Sequence, residues 1–294
     1  MLYCWYFNII FNTVGGIPMK YKIVSDSSSD LLSLEQMPFA SVPLHIIVGS
    51  HEFIDDANVD LEKMEDVLSS HKGRSSTACP GVNDWLDAFE DAETVFCVTI
   101  TSALSGSYNS AVSAKKEYEE QFPGRCVHVI DSLSTGPEMV LIIEKLQELI
   151  LSGREADDIM KEVTDYMRHT HLLFALETLT NLANNGRVSP AVAKLAGILG
   201  IRLVGQASPQ GELQLLNKCR GKQCVLSNII RHMQKMGYQG GKVRISHNGN
   251  ADSAAELMSQ LRKLFPASDI RICATRALCS YYAEKGGMLV GMEC

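Results

Sequence analysis

The 294-residue chain is expected to fold as an α/β protein of two parts. The N-terminal part should carry a mostly parallel α/β/α sheet, and the C-terminal part an α+β arrangement with a largely antiparallel sheet. Three observations carry this expectation. The first half repeats one grammar three times: an apolar strand, a turn of small hydroxyl residues, then a helix, as parallel strands with crossover helices require. Each of these strands ends in Asp, Ser or Thr. The second half instead places a hairpin turn, Pro209 to Gly211, between the strand-like runs IRLVGQA and ELQLLNK. The units are drawn at 19–160 and 161–294, preceded by an apolar leader at 1–18.

That leader, MLYCWYFNIIFNTVGGIP, lacks the basic start of a signal peptide and is short for a bilayer span, so it reads as dispensable, with Met19 the better beginning. KIVSDSSSDL follows as a strand closed by Asp26, a Ser/Asp turn, and a helix start near Asp30. VPLHIIVGSHEFIDD is a strand pair turning at Gly49 and Ser50. NVDLEKMEDVLSSH is an amphipathic helix capped by Asn58 or Asp60. Thr77 lies in an extended stretch, because Pro80 disfavours helix at Cys79, and a helix through Trp85, Leu86 and Phe89 begins just after.

The central unit is TVFCVTITSALSGSYNSAVSAKKEYEEQF, residues 94 to 122. Val95 to Ile100 form a β-branched and apolar run that suits a strand buried on both faces. Leu104, Tyr108, Ala111, Val112 and Tyr118 then recur at helical spacing, so a helix starts near Ser105 or Gly106. Its free N–H groups and dipole favour an anion, and hydroxyls of Thr101, Ser102, Ser105 and Ser107 converge there. The turn holds no Lys or Arg, which favours a carboxylate over a polyphosphate. The plainer alternative leaves Ser105 as a cap and Gly106 as a tight turn.

RCVHVIDSLSTGPEMVLIIEKLQELILSG repeats the unit, with Asp131 and Ser132 closing its strand. In open sheets of this kind ligands bind beyond the carboxyl ends of the strands, where Asp26, Thr101 to Ser107 and Asp131 to Thr135 all fall. EADDIMKEVTDYMRHTHLLFAL adds a helix and a strand. NNGRVSP sets Arg187 in a turn ahead of a helix, with Ser189 as cap and Pro190 at its first position. KVRISHNGN, ADSAAELMSQLRKLF and IRICATRAL complete the chain as strand, helix and strand.

Composition excludes several classes. A net charge of -7 with no basic cluster argues against a nucleic-acid footprint. Nine cysteines, an odd number with no CxxC pair, fit a reducing cytoplasm better than a secreted disulfide scaffold. Cys219 and Cys224 have no nearby histidine set to complete a metal site. Nucleophile elbow, HExxH, P-loop and GxGxxG motifs are all missing from the sequence. No catalytic residue, cofactor or metal is therefore expected.

Taken together, VSDSSSDL (24 to 31), STACPG (76 to 81), TSALSGSYNSA (101 to 111), DSLST (131 to 135), LETLTNLANNGRVS (176 to 189) and ISHNGN (245 to 250) resemble the DegV family of bacterial fatty-acid-binding proteins. The match runs in order from about Lys20 to the C terminus. The resemblance implies a long-chain fatty acid held between two domains, its carboxylate at the interface and its chain in an apolar tunnel. It also implies a lipid carrier that presents the acid to a partner fatty acid kinase for acyl phosphate formation. By position, Thr77 matches a threonine that bonds the carboxylate, although Cys79 stands where glutamine is usual. Ser105 and Gly106 match a serine and glycine that supply a hydroxyl and backbone N–H groups, with Ser107 beside them. Arg187 matches an arginine linked to phosphoryl transfer, and Asp26, Ser27, Ser132 and His247 match supporting positions.

One departure stands out. Where the family carries an HTGPG-like stretch whose histidine contacts the carboxylate, this chain reads CSYYAEKGGMLVG, residues 279 to 291. Tyr281 or Tyr282 is the candidate substitute hydroxyl. Two other readings follow from that departure and from the serine-rich turns: a degenerate paralogue with an altered ligand, and a serine-dependent or phosphate-handling enzyme.

Overall fold

The computed structural model describes residues 20–189, 192 and 201–294. The leader, Met19 and the helix start at Pro190 lie outside the described residues. Four parallel strands form the N-terminal sheet in the order β2 (Phe39–Val42), β1 (Tyr21–Asp26), β6 (Thr94–Thr99) and β7 (Cys126–Asp131). Between β2 and β6 in sequence lies a small antiparallel sheet of β3 (His45–Val48), β4 (His51–Ile54) and β5 (Ser75–Ala78), with β3 in the middle. The second half forms a six-stranded sheet in which β8 (Thr170–Leu176), β9 (Ile201–Ala207) and β10 (Leu213–Arg220) pair antiparallel. β13 (Met288–Glu293) lies antiparallel between β8 and β11 (Val243–His247), and only β11 and β12 (Ile270–Ala274) run parallel. The expected contrast between a parallel and a largely antiparallel sheet is thus present.

Helix α1 (Leu61–Ser70) is capped by Asp60, whose side chain accepts the Lys63 N–H. Helices α2 (Val82–Phe89) and α3 (Ser107–Gln121) cover one face of the parallel sheet, where Trp85, Phe89 and Tyr118 are buried with Val95 and Cys97. Helix α4 (Pro137–Leu151) covers the other, so Ile23, Phe96 and Val98 meet Met139, Ile142 and Leu146. α4 also touches β8, β11 and β13, which places it between the two large sheets. α5 (Ala156–Tyr166) packs beside it and leads into β8. The outer face of the second sheet is covered by α7 (Lys222–Lys235) and α8 (Ala251–Leu264), after the short α6 (Thr180–Asn184).

Two features fix α4 against the second sheet. Gly291 lets β13 approach the first turn of α4, since a Cβ there would fall 2.5 Å from the Pro137 carbonyl carbon and 2.6 Å from the Glu138 nitrogen. Arg244 on β11 forks onto Glu144 of α4 at 2.9 and 2.7 Å and reaches Asp269 at 2.8 Å.

The structure departs from expectation after β1. The helix start near Asp30 does not form; Ser27–Ser29 make one 3-10 turn, and Asp30 takes a left-handed conformation at φ 61°. Only a few residues separate Asp30 from Pro38, and proline restricts Met37 to extended backbone, so no helix has room to propagate. A helix unforeseen in the sequence, α9 (Ala277–Ala283), occupies the segment after β12.

Glu138 is buried under Gly291, with Thr170 Oγ1 donating to its Oε1 at 2.9 Å. Burial pushes its carboxyl up to about 7 from 4.5. The folded chain therefore holds this proton longer than the unfolded chain, and its stability contribution is complete below about pH 4.5 and lost as pH rises through about 7. Glu138→Gln is expected to leave the protein about 2–3 kcal/mol more stable than the parent at pH 8, with little difference near pH 4. Urea denaturation at the two pH values checks this; an equal difference at both would contradict it.

Candidate functional site

A cavity with about 690 Å³ of empty space, its mouth included, lies between the two large sheets. Its walls are mainly Leu, Ile and Phe: Leu44, Ile100 and Leu104 from the first half, with Leu172, Phe174 and Leu289 among those from the second. Polar atoms gather from Thr77, Ser105, Thr135, Arg187 and Tyr282. Arg187 is the one charged side chain among the described residues that line the cavity, so the site favours an anion.

Each of these groups is placed by a different element. Thr77 sits on β5, held extended by β3. Ser105 precedes α3, and its Oγ accepts the Ser107 N–H at 3.2 Å. Gly106 starts that helix against Cys79, whose Sγ would lie 3.1 Å from a Cβ there. Arg187 follows α6; its Nε donates to the Leu104 carbonyl at 3.1 Å and its Nη1 to the Asn185 carbonyl, which carries the guanidinium across to the α3 turn. Tyr282 projects from α9, its hydroxyl 2.7 Å from Thr77 Oγ1. Burial pushes the Tyr282 phenol up from its ordinary value, against the pull of the Thr77 hydroxyl and Arg187, so it keeps its proton near neutral pH.

The other residues expected at the site stand behind it or away from it. Asp26 is fully buried: its Oδ2 accepts the Ile100 N–H at 2.9 Å and the Ser107 hydroxyl at 2.6 Å, while Oδ1 accepts the N–H and hydroxyl of Ser28. Burial pushes its carboxyl up, opposed by those same donors. Ser107 therefore serves Asp26 and does not line the cavity, because a buried carboxylate left without donors is costly. Ser27 Oγ accepts the Leu44 N–H at 3.0 Å, and Ser132 Oγ bonds both the carbonyl and the N–H of Ser134. His247 closes β11 with its Nδ1 accepting the Asn250 N–H at 3.4 Å, and it does not line the cavity. Asp26, Ser27, Ser107 and Ser132 shape the turns beside the cavity-lining groups, and His247 does not.

Sequence reasoning missed the seat of α9. Asp55 from the first half is fully buried and accepts the Ala277 N–H at 3.1 Å and the Leu278 N–H at 3.0 Å. Asp30 Oδ1 accepts the Arg276 N–H at 2.8 Å. Burial pushes Asp30 up to about 7 and Asp55 up as well, the Asp55 carboxyl being restrained by the N–H groups it accepts and by Arg276. The Arg276 side chain completes the seat by donating to the Asp56 carbonyl. Two carboxylates more than 200 positions upstream thus fix the helix that carries Tyr282.

The model of a family described as uncharacterised DegV-family protein matches residues 20–293. The chain belongs to the DegV family. A DegV domain-containing protein of Streptococcus gordonii is 43% identical over 279 residues, 94% of this chain and 99% of the relative. Among solved structures, a DegV family protein from Eubacterium eligens loaded with heptadecanoic acid is 43% identical with a TM-score of 0.91, covering 93% of this chain and 99% of its own. The Streptococcus pneumoniae Fatty Acid Kinase (Fak) B3 protein loaded with linoleic acid is 42% identical with a TM-score of 0.92, covering 94% and 99%. Among the described residues of this DegV chain, no helix is long and apolar enough to cross a membrane, and no group of three His, Cys, Asp or Glu is placed to hold a metal.

Asp55→Ala is expected to lower stability by about 1–3 kcal/mol, because it strands two helix N–H groups away from solvent. A fall in the urea midpoint supports the seat, and an unchanged midpoint would show that α9 holds its place without it.

Proposed function

We propose that this DegV-family protein is a carrier that binds a long-chain fatty acid between its two units, residues 19–160 and 161–294. The carboxylate lies against Thr77, Ser105, Tyr282 and Arg187, and the acyl chain lies along the leucine-lined wall. The observation that supports it most directly is the cavity itself: an apolar chamber with hydroxyls and the Arg187 cation among its described walls. An ionised carboxylate needs several aimed donors once it leaves water, and these groups supply them. Each buried methylene contributes about 0.8 kcal/mol, so a chain of ~14 to 18 carbons gains roughly 10 kcal/mol before ordering costs. The tail supplies most of the affinity and the polar end sets its direction.

The protein is not itself the catalyst in this reading. It hands the acid to a separate fatty acid kinase for acyl phosphate formation, with Arg187 at the point where the phosphoryl group arrives. The bound fatty acids of the two similar structures, and the kinase in the name of one, support this assignment. The altered segment 279–291 suggested a degenerate paralogue, but Tyr282 from that segment meets Thr77, which favours a working polar end. A cytoplasmic location suits the odd cysteine count.

Palmitate is expected to bind at least a hundredfold more tightly than butyrate, since the two differ by a dozen methylenes. Competition against a fluorescent fatty acid measures both. Equal affinity would contradict the apolar chamber as the source of binding.

A further inference from the structure

Tyr281 and Tyr282 are neighbours on α9 and point to different partners. Their rings meet edge-to-face, 4.8 Å between centroids at 78°. Tyr282 Oη lies 2.7 Å from Thr77 Oγ1, and Tyr281 Oη lies 2.7 Å from Ser75 Oγ. Ser75 and Thr77 are alternate residues of β5, so they face one side of the strand. Tyr282 lines the cavity, whereas Tyr281 stands behind it, 1% exposed, and lines a separate polar groove.

The two pairs differ in their further partners. Tyr281 Oη has a second partner, Asn185 Nδ2, at 2.9 Å. An amide nitrogen only donates, so Tyr281 accepts from Asn185, and between Tyr281 and Ser75 either hydroxyl can donate. Asn185, Tyr281 and Ser75 thereby form one hydrogen-bonded chain. No such third group engages Thr77 or Tyr282 among the described hydrogen bonds, so between two hydroxyls with two protons one proton is left to donate into the cavity. Asn185 is also tied to the cation of the site, because its carbonyl accepts Arg187 Nη1. Its Nδ2 further donates to the Asn181 carbonyl at 2.8 Å, which locks the amide in place.

We propose that Asn185 and Tyr281 are positioning residues for the fatty-acid carboxylate: the Asn185–Tyr281–Ser75 chain, with the ring contact, aims Tyr282 and Thr77 so that one hydroxyl proton faces the ligand. This rests on the carrier reading above and adds the residues that set headgroup recognition without touching the ligand. Truncating the chain loosens the polar end and leaves the apolar wall as it is.

The experiment compares palmitate with 1-hexadecanol, which has the same number of carbons and no charge, on the parent chain and on Asn185→Ala and Tyr281→Phe. Both affinities are read by displacement of a fluorescent fatty acid, with thermal unfolding to select folded variants; Tyr281→Phe keeps the ring and serves if Asn185→Ala does not fold. Each variant is expected to lose roughly three- to tenfold in palmitate affinity while hexadecanol stays within about twofold. The double variant should lose no more than the larger single loss, because both residues act through one chain. Equal losses for acid and alcohol, or no loss for either, would overturn the positioning role. A parent chain that binds neither ligand would instead overturn the carrier reading and this inference with it.

Discussion

A seven-residue helix is too short to be stable by itself, yet α9 carries the two tyrosines around which the polar end of the cavity is built. Its stability comes from outside. Asp55 accepts its first two N–H groups and Asp30 the one before, both from the first half of the chain. The opposite end is tied to α6, where Glu284 Oε1 accepts the Asn181 N–H and the Tyr281 carbonyl accepts Asn181 Nδ2. This seat joins the two halves and defines one wall of the cavity, so loss of α9 would remove Leu278, Cys279, Tyr282 and Ala283 from the lining together.

The same economy of buried charge runs through the site. Asp26 sits at the end of β1 with four donors aimed at it, and in satisfying it Ser107 and Ile100 fix the α3 turn that presents Ser105. The resident carboxylate stabilises the loop, and the ligand carboxylate meets the remaining hydroxyls. Arg187 bridges the halves by donating to Leu104 and Asn185 carbonyls, and among the described residues no acidic side chain lines the cavity, so its charge stays available to an anion. Nearby, the tip of the β9–β10 hairpin presses onto the same strand ends: Gly211 at φ 76° lies against Thr101 and Leu133, where a side chain would collide.

Much of this was legible in the sequence because it is local. β-branched runs ending in Asp or Thr pointed to three of the four parallel strands, β1, β6 and β7, but not to the short β2, and SGSY marked the start of α3 to within two residues. The hairpin at Pro209 to Gly211 followed from turn chemistry. What the sequence hid was which polar group satisfies which. Ser105 and Ser107 look alike in TSALSGSY, yet only Ser105 lines the cavity; Asp26, 81 positions away, claims the other. α9 was hidden for a related reason, since ALCSYYA is too short to show a helical period and its N-terminal caps lie in distant sequence. His247, placed by motif alone, lies on β11 away from the cavity, because a strand-end motif specifies a turn and says nothing about which cavity that turn meets.

The central claim is that the chamber between the sheets holds a fatty acid by its carboxylate and its chain. Native mass spectrometry of the purified protein, followed by denaturing extraction and identification of what is released, tests it most directly. The account predicts a stoichiometric long-chain fatty acid. A protein that emerges empty and also fails to take up added long-chain acids would contradict it.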